Sequence, residues 1–435
     1  MEVAMILLLL VGSALAGTDQ GARDEFTGLA VDFFMGKDKL ASHLEMTPSE
    51  DCVEGDMQMN EEQKQAYYMM REVTAKNRAR VRRAATKAFR LWPDNTFVYK
   101  FDPRLSSAMR AKFMQAVETY KATTCIQFHE AKEGYSGSIP PLTVYGTGNG
   151  CFSTVGGPGG KINLQEGRCN HLGVCLHEIG HALGAYHEHT RPDRREHVSI
   201  KEENIRNGYE GNFKVVDRLL VGIYDLQSAM HYACDAFSKD GRSETIVPHD
   251  ELMKEKMGLQ RKLSRLDIYK FNKMYSCYES CPDDLETACK HGGVPSKDCT
   301  CLCPDEYTGI YCETFKKTTE CSAEYKDTSG IIRSPGFTRG SRYPSNTECV
   351  YAIECPEGTK VHLTFRSFDI EGWGCFFDTF ETKTGPAVEE VYPNLYCDKA
   401  LRGKTLTSKE NLALLKFNSD SYYNYPGYEL EYVCE

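Results

Sequence analysis

The sequence predicts a multidomain α+β protein: a twisted mixed sheet with a buried helix, then a small disulfide-rich module, then an all-β sandwich. Three observations lead there. A chain of 435 residues exceeds one core, so two to four units are expected. Part of the nineteen cysteines crowd together as Cys281, Cys289, Cys299, Cys301, Cys303 and Cys312, the pattern of a unit too small to fold without staples. Beyond Cys321 the chain alternates apolar and polar residues, as in Val361-His362-Leu363-Thr364-Phe365 and Tyr428-Glu429-Leu430-Glu431-Tyr432, which is strand periodicity.

The first residues already bear on location. Met5 to Ala16 is a short apolar run ending in Ala14-Leu15-Ala16, a secretory signal in outline, although Glu2 replaces the usual basic start. It is too short to span a bilayer as a helix, and no other segment is apolar enough to do so. Nineteen cysteines agree with an oxidising, extracellular setting. A net charge of −10 and a pI near 5.7 argue against nucleic-acid or anionic-membrane partners. His249-Asp250-Glu251-Leu252 spells a retention address but is internal, where it is not read.

Residues 17–83 are charged and methionine-rich, with a helical pattern from Glu61 to Val81 that sets Tyr67, Met70 and Val73 near one side. They end in Arg80-Val81-Arg82-Arg83, either a solvated basic patch or a cleavage site for a furin-like convertase. Leu91-Trp92-Pro93 reads as an entry turn and Phe97 to Phe101 as a strand. Leu105 to Thr123 has helical spacing, and Cys125-Ile126-Gln127-Phe128 and Leu142 to Tyr145 are further strands. The glycine-rich stretch from Gly146 to Gly160 lacks the Gly-Lys-Ser/Thr ending of a phosphate loop, which excludes nucleotide binding there. Ile162-Asn163-Leu164 is the last strand before the stretch that carries the chemistry.

That stretch reads His177-Glu178-Ile179-Gly180-His181-Ala182-Leu183-Gly184-Ala185-Tyr186-His187-Glu188. Residues four apart on a helix share a face, so His177 and His181 present two imidazoles to one zinc ion. Glu178 stands beside them as a general base. Gly184 permits the positive φ of a sharp helix exit, so that His187 returns as a third ligand. Five residues of this kind recur by chance, leaving a core helix with ordinary histidines as the plain alternative; the added glycine and third histidine make chance a poor explanation.

With these residues in place, the chain resembles the metzincins, and Ser228-Ala229-Met230-His231-Tyr232 resembles their Met-turn. Glu188 directly after the third histidine and Tyr232 two residues past Met230 narrow the resemblance to the astacin family of zinc endopeptidases. The family implies one zinc per subunit on His177, His181 and His187, a displaceable fifth ligand in Tyr232, and Glu178 as catalytic base. Ala84 after Arg83 resembles a mature amino terminus that folds inward to meet Glu188. Val53-Glu54-Gly55-Asp56 resembles the latency switch, in which Asp56 holds the zinc of the zymogen, although Val53 stands where an aromatic is usual. Cys52 is a rival ligand, since thiolates also bind zinc. The resemblance also places an edge strand near Cys151 to Thr154 for an extended substrate.

The same likeness implies disulfides Cys125–Cys277 and Cys151–Cys169. Cys175 and Cys234 are extra, and are expected either to pair and brace the metal floor or to remain buried thiols. Gly292-Gly293 and Tyr307-Thr308-Gly309 among the clustered cysteines resemble an EGF-like module, implying Cys281–Cys299, Cys289–Cys301 and Cys303–Cys312. Ser334-Pro335-Gly336-Phe337 and Tyr343-Pro344 resemble a CUB domain, implying Cys321–Cys349 and Cys375–Cys397 and leaving Cys355 with Cys434. Glu371, Asp378 and Asp420 match calcium positions of some CUB domains. Glu371 sits one residue closer to Cys375 than usual, so calcium stands against a plain acidic loop.

The expected organisation is a signal peptide at 1–16, an inhibitory propeptide at 17–83, an astacin-like metalloprotease domain at 84–279, an EGF-like module at 281–312 and a CUB domain at 321–434, similar to nematode astacins and the tolloid group. The expected function is a secreted zinc endopeptidase made as a zymogen, released by a convertase and acting on extracellular matrix or cuticle proteins. The alternative is a catalytically silent adhesion protein that uses its EGF-like and CUB units.

Overall fold

The computed structural model describes residues 52–74, 77, 88–218, 220–249, 254, 257–258, 262–338, 340–372, 375, 377–384 and 394–435. The signal segment, Arg83 and Ala84 therefore lie outside the described residues.

The first sheet has seven strands. β1 (Cys52–Val53) and β2 (Met57–Gln58) come from the segment before Arg83, followed by α1 (Glu61–Arg71). β3 (Thr96–Phe101), α2 (Ser107–Thr123), β4 (Gln127–Glu130), β5 (Leu142–Tyr145), β6 (Cys151–Thr154) and β7 (Lys161–Leu164) follow, then α3 (Leu172–Ala182). The order is β1-β2-β6-β7-β5-β3-β4. β7, β5, β3 and β4 pair in parallel, and β6 runs antiparallel to β7. Without β1 and β2, β6 would be the open edge of the sheet. β2 covers it in parallel register, Met57 opposite Ser153 and Gln58 opposite Thr154.

α1 ends at Arg71 and residues 72–74 are not helical, while most of the expected span beyond them to Val81 lies outside the described residues. Asn60 caps it through a box with Gln63, and Tyr67 and Met70 are buried on one side, which is why this much folds as a helix. That side packs with Val53, Met57, Val155 and Val216. Hence the segment lies on the rest of this unit through an apolar face and a strand edge.

α3 is buried from Gly173 to Ala182. Two glycines shape it. A Cβ at Gly180 would meet Met230 Sδ at 2.6 Å, so the turn bearing Met230 fits under the helix only because that residue has no side chain. At Gly184 φ is +101°, and Gly184 N–H donates to His181 O and Ala185 N–H to Gly180 O, a Schellman exit. The chain then passes β8 (Val198–Ile200), β9 (Ile246–Pro248) and α4 (Arg265–Met274).

Disulfides join Cys125 to Cys277 and Cys151 to Cys169 in this unit. The expected Cys175–Cys234 bridge is not formed. Neighbours two apart on a helix are about 200° apart. Cys175 therefore points away from the His177 face, and burial, with the Glu178 charge adding, pushes its thiol up to about 12. Cys234 lies elsewhere, against β9, its Sγ 3.0 Å from Lys254 O.

The small module is two hairpins, β10 (Val294–Pro295) with β11 (Cys301–Leu302) and β12 (Tyr307–Thr308) with β13 (Thr314–Phe315). Its bridges are Cys281–Cys299, Cys289–Cys301 and Cys303–Cys312. The last unit is a sandwich. One sheet holds β14 (Ala323–Tyr325), β16 (Glu348–Glu354), β21 (Leu412–Asn418), β18 (Thr379–Lys383) and β19 (Asn394–Tyr396) in that order. The other holds β15 (Ser329–Arg333), β22 (Gly427–Cys434), β17 (Val361–Asp369) and β20 (Thr405–Thr407). Phe365, Phe368, Phe380, Phe417 and Tyr428 fill the space between; a register shift between Phe365 and Ser367 lets both Phe365 and Phe368 face inward from β17. Cys321–Cys349, Cys355–Cys434 and Cys375–Cys397 close it.

Candidate active site

His177 and His181 project from one face of α3, and the exit after Gly184 carries His187 back towards them. Ligand atoms of these three residues and of Asp56 all lie within 4.8 Å of one another, and all four side chains are buried. Asp56 Oδ2 is 3.0 Å from His177 Nε2, 3.6 Å from His181 Nε2 and 3.1 Å from His187 Nε2.

The outer nitrogens decide what the inner ones offer. His177 Nδ1–H donates to Ala229 O at 2.7 Å, His181 Nδ1–H to Ala185 O at 2.8 Å, and His187 Nδ1–H to Glu54 Oε2 at 2.7 Å. A neutral ring that has used its proton outward turns a lone pair inward. Three such lone pairs and a carboxylate oxygen then face one centre, with His177 Nε2 and His181 Nε2 only 3.1 Å apart. Acceptors so close repel unless a cation lies among them. This nitrogen-rich set, with each ring fixed from behind, fits Zn²⁺.

Glu178 is 1% exposed and its Oε2 has no hydrogen-bond partner. Burial drives this carboxyl well above the usual carboxylate range, and the charge of Asp56 adds to it. Burial acts to raise Asp56 too, but the surrounding imidazoles of His187, His181 and His177 hold it well below that range. Cys52, the rival ligand, is not in the cluster; it belongs to β1.

Tyr232 lies beside the cluster, its ring centroid 4.4 Å from that of His187 and stacked on His189 at 3.9 Å. Its hydroxyl donates to the backbone oxygen of Glu54. The segment before Arg83 thus touches four of the expected site residues at once: Asp56 faces the three imidazoles, and Glu54 binds His187 through its side chain and Tyr232 through its carbonyl. In the sequence Glu54 was legible only as part of a motif; its partners depend on the turn from β1 to β2, where Glu54 has φ +51° and Gly55 φ +87°.

Glu188 departs from expectation. It was to be a buried carboxylate awaiting an ammonium at residue 84, yet its Oε1 already accepts from Lys270 Nζ at 2.5 Å and from Asp225 N–H at 2.9 Å. Burial acts to raise its pKa, but Lys270, Arg191 and Arg218 hold it below the usual value. Lys270 and its neighbour on α4, Asp267, were missed. The signal available for Asp267 was the Ser264-x-x-Asp267 capping pattern; nothing local marks Lys270.

The structure brings Glu371, Asp378 and Asp420 together as a second cluster, ligand oxygens again within 4.8 Å, despite the short spacing from Glu371 to Cys375. Glu371 Oε2 is buried and has no partner. Tyr343 O–H donates to Asp378 Oδ2 and Asp420 N–H donates to Asp378 Oδ1 at 2.8 Å. Burial, with the charges of Asp378 and Asp420 behind it, pushes Glu371 up to about 7.

Residues 84–276 match the family model described as Astacin, a peptidase family, and residues 321–432 match that of the CUB domain. Blastula protease 10 of Paracentrotus lividus is 31% identical over 400 residues, covering 87% of this chain and 64% of its own length. Zinc metalloproteinase nas-36 of Caenorhabditis briggsae is 32% identical over 323 residues, 72% of this chain and 51% of its own. Tolloid-like protein 1 of Mus musculus is 30% identical over 375 residues, 83% of this chain and 32% of its own. The chain thus spans less than two thirds of each of these relatives. No helix among the described residues is long and apolar enough to cross a membrane. With a zinc-fitting imidazole cluster inside the segment that the peptidase model matches, and a sandwich where the second model matches, the chain belongs to the astacin family of metallopeptidases and carries a CUB domain behind its peptidase domain.

Proposed function

We propose that the chain is the zymogen of a secreted zinc endopeptidase, freed at Arg83 and cutting extracellular proteins. The observation that carries the reading is the convergence of three Nε2 lone pairs whose outer protons are already committed. His177, His181 and His187 would hold the metal. Zinc bound there supplies Lewis-acid polarisation of a carbonyl and makes water acidic near neutral pH.

The chain's own residues do the rest. An extended substrate pairs with the edge of β6 once β2 leaves it, so the peptide is oriented by backbone hydrogen bonds. Glu178 accepts the proton of the attacking water and returns it to the departing amine nitrogen. It is suited to that exchange because its Oε2 is uncommitted and its site is dry. Tyr232, released from the Glu54 carbonyl, donates its hydroxyl proton into a hydrogen bond with the substrate oxygen as negative charge grows there. Before cleavage, Asp56 fills the place between the imidazoles and Glu54 holds Tyr232 away, which accounts for latency. The test is cleavage of a peptide library by protein cut at Arg83, with and without a chelator. Lack of any chelator-sensitive cleavage would end the reading and favour a silent adhesion protein.

A second site supports a further assignment. We infer that Glu371, Asp378 and Asp420 hold calcium, because three carboxylates meet there and a buried oxygen of Glu371 lacks any partner. Hard oxygen donors suit that ion. Calorimetry on the full chain tests it, and the absence of a calcium-dependent signal lost in Asp378→Asn would remove it.

A further inference from the structure

α4 meets the floor of the active site at two points. Asp267 Oδ2 accepts from Ala229 N–H at 2.8 Å and Asp267 Oδ1 from Ser228 O–H at 2.5 Å. The carbonyl of that same Ala229 receives His177 Nδ1–H, so one residue links the helix to the first imidazole. One turn further on, Lys270 Nζ reaches Glu188 Oε1. Glu188 directly follows His187, and its own N–H donates to Met230 O at 2.9 Å. Two of the three imidazoles are therefore placed by a helix far away in sequence.

The Lys270–Glu188 pair is enclosed, Glu188 being 4% and Lys270 9% exposed. Other cations approach but are engaged elsewhere. Arg191 Nε is 3.7 Å from Glu188, yet Arg191 forms a two-pronged pair with Asp193 at 2.9 and 2.7 Å and donates to Val221 O and Gly222 O. Arg218 donates to His187 O at 2.9 Å. Removing the ammonium of Lys270 would leave a buried carboxylate short of its nearest counter-charge, next to a ligand residue whose backbone it anchors.

We propose that Lys270 is the standing counter-ion of Glu188 and, through it, a positioning residue for His187, so that the cleft does not depend on which residue cleavage exposes as the amino terminus. This rests on the peptidase reading but differs from the expectation that a freed ammonium at residue 84 completes the site. The pair is already made in the uncut chain. Cleavage then acts by removing Asp56 and Glu54, not by supplying a charge.

The experiment has two arms on the full chain. In the first, mature protein beginning at Ala84 is compared with protein carrying two extra residues before Ala84. Values of kcat/KM within about twofold are expected, and a loss of about tenfold or more on extension would overturn the proposal. In the second, Lys270→Met and Lys270→Arg are compared by zinc affinity against a competing chelator and by kcat and KM separately. Lys270→Met is expected to weaken zinc binding by about tenfold or more, as loss of an outer-shell partner does, and to lower kcat more than it changes KM. Lys270→Arg, which restores the charge, is expected to recover most of both. Unaltered zinc affinity and kcat in Lys270→Met would overturn the proposal. Should Lys270→Met fail to fold, Lys270→Arg and the extension arm still decide. If no form cleaves peptide while zinc affinity still follows the charge at 270, the peptidase reading fails and the positioning role stands.

Discussion

The two clusters that fit metal ions in this chain are built by opposite means. In the peptidase domain the donors are imidazoles, each fixed from behind by a carbonyl or carboxylate, and Asp56, from the segment before Arg83, lies among them. In the CUB domain the candidate donors are three carboxylates on loops between strands, with the Tyr343 hydroxyl and the backbone N–H groups of Asp420 and Tyr422 to offset their charge. The first arrangement is pre-set and plugged. The second is under-compensated. The difference teaches that converging imidazoles can be held in place by hydrogen bonds on their outer nitrogens, whereas converging carboxylates with fewer partners are left with residual charge repulsion.

The largest effect should come from the catalytic cluster. Glu178→Gln keeps shape and packing while removing the base, and kcat of protein cut at Arg83 should fall by about a thousandfold. Zinc content should stay at one per chain by elemental analysis, because Glu178 is not among the converging donors. Comparable turnover in this variant would show that the cluster does not work as described.

Next in size is the plug. Asp56→Ala should give uncut protein that cleaves peptide before any processing, whereas Cys52→Ala should stay silent, since only Asp56 lies among the imidazoles. Time courses of the uncut variants, with the Arg83 site blocked by Arg83→Ala, separate the two. The reverse result would return the latency role to the thiol.

Much of this was legible in the sequence and some was not, for identifiable reasons. His177, His181, Gly184 and His187 could be read because their spacing is a property of one helix and its exit. The small module's cystine pairing came from its resemblance to an EGF-like unit, and the sandwich strands could be read because alternation is local. The Cys175–Cys234 bridge was misjudged because nearness in sequence to the metal floor says nothing about which side of α3 a residue faces. The contact of Glu188 with Lys270 was missed because Lys270 comes from α4, 82 residues later, and no local rule connects them. Long-range pairing of single side chains is where sequence reasoning stops.

The smallest expected effect tests the under-compensated cluster, and its sign follows from proton linkage. Glu371 titrates at about 7 in the fold against an ordinary 4.5, and Asp378 is raised in the same direction. A carboxyl raised on folding binds more protons in the native than in the unfolded state across that interval. Its contribution to stability is therefore present at low pH and is lost as pH rises from about 4.5 towards about 7. Calcium should offset this loss, because it favours the ionised form that the empty cluster penalises. Thermal unfolding of the CUB transition, followed from pH 5 to pH 8 with chelator and with calcium, should thus show curves that diverge as pH rises, by a few degrees at the upper end. Glu371→Gln removes the repelling charge and should flatten the chelator curve while abolishing the calcium increment. Parallel curves in wild type, or a calcium increment that survives Glu371→Gln, would mean that the three carboxylates are an ordinary solvated loop, and the contrast with the imidazole site would lose one of its two members.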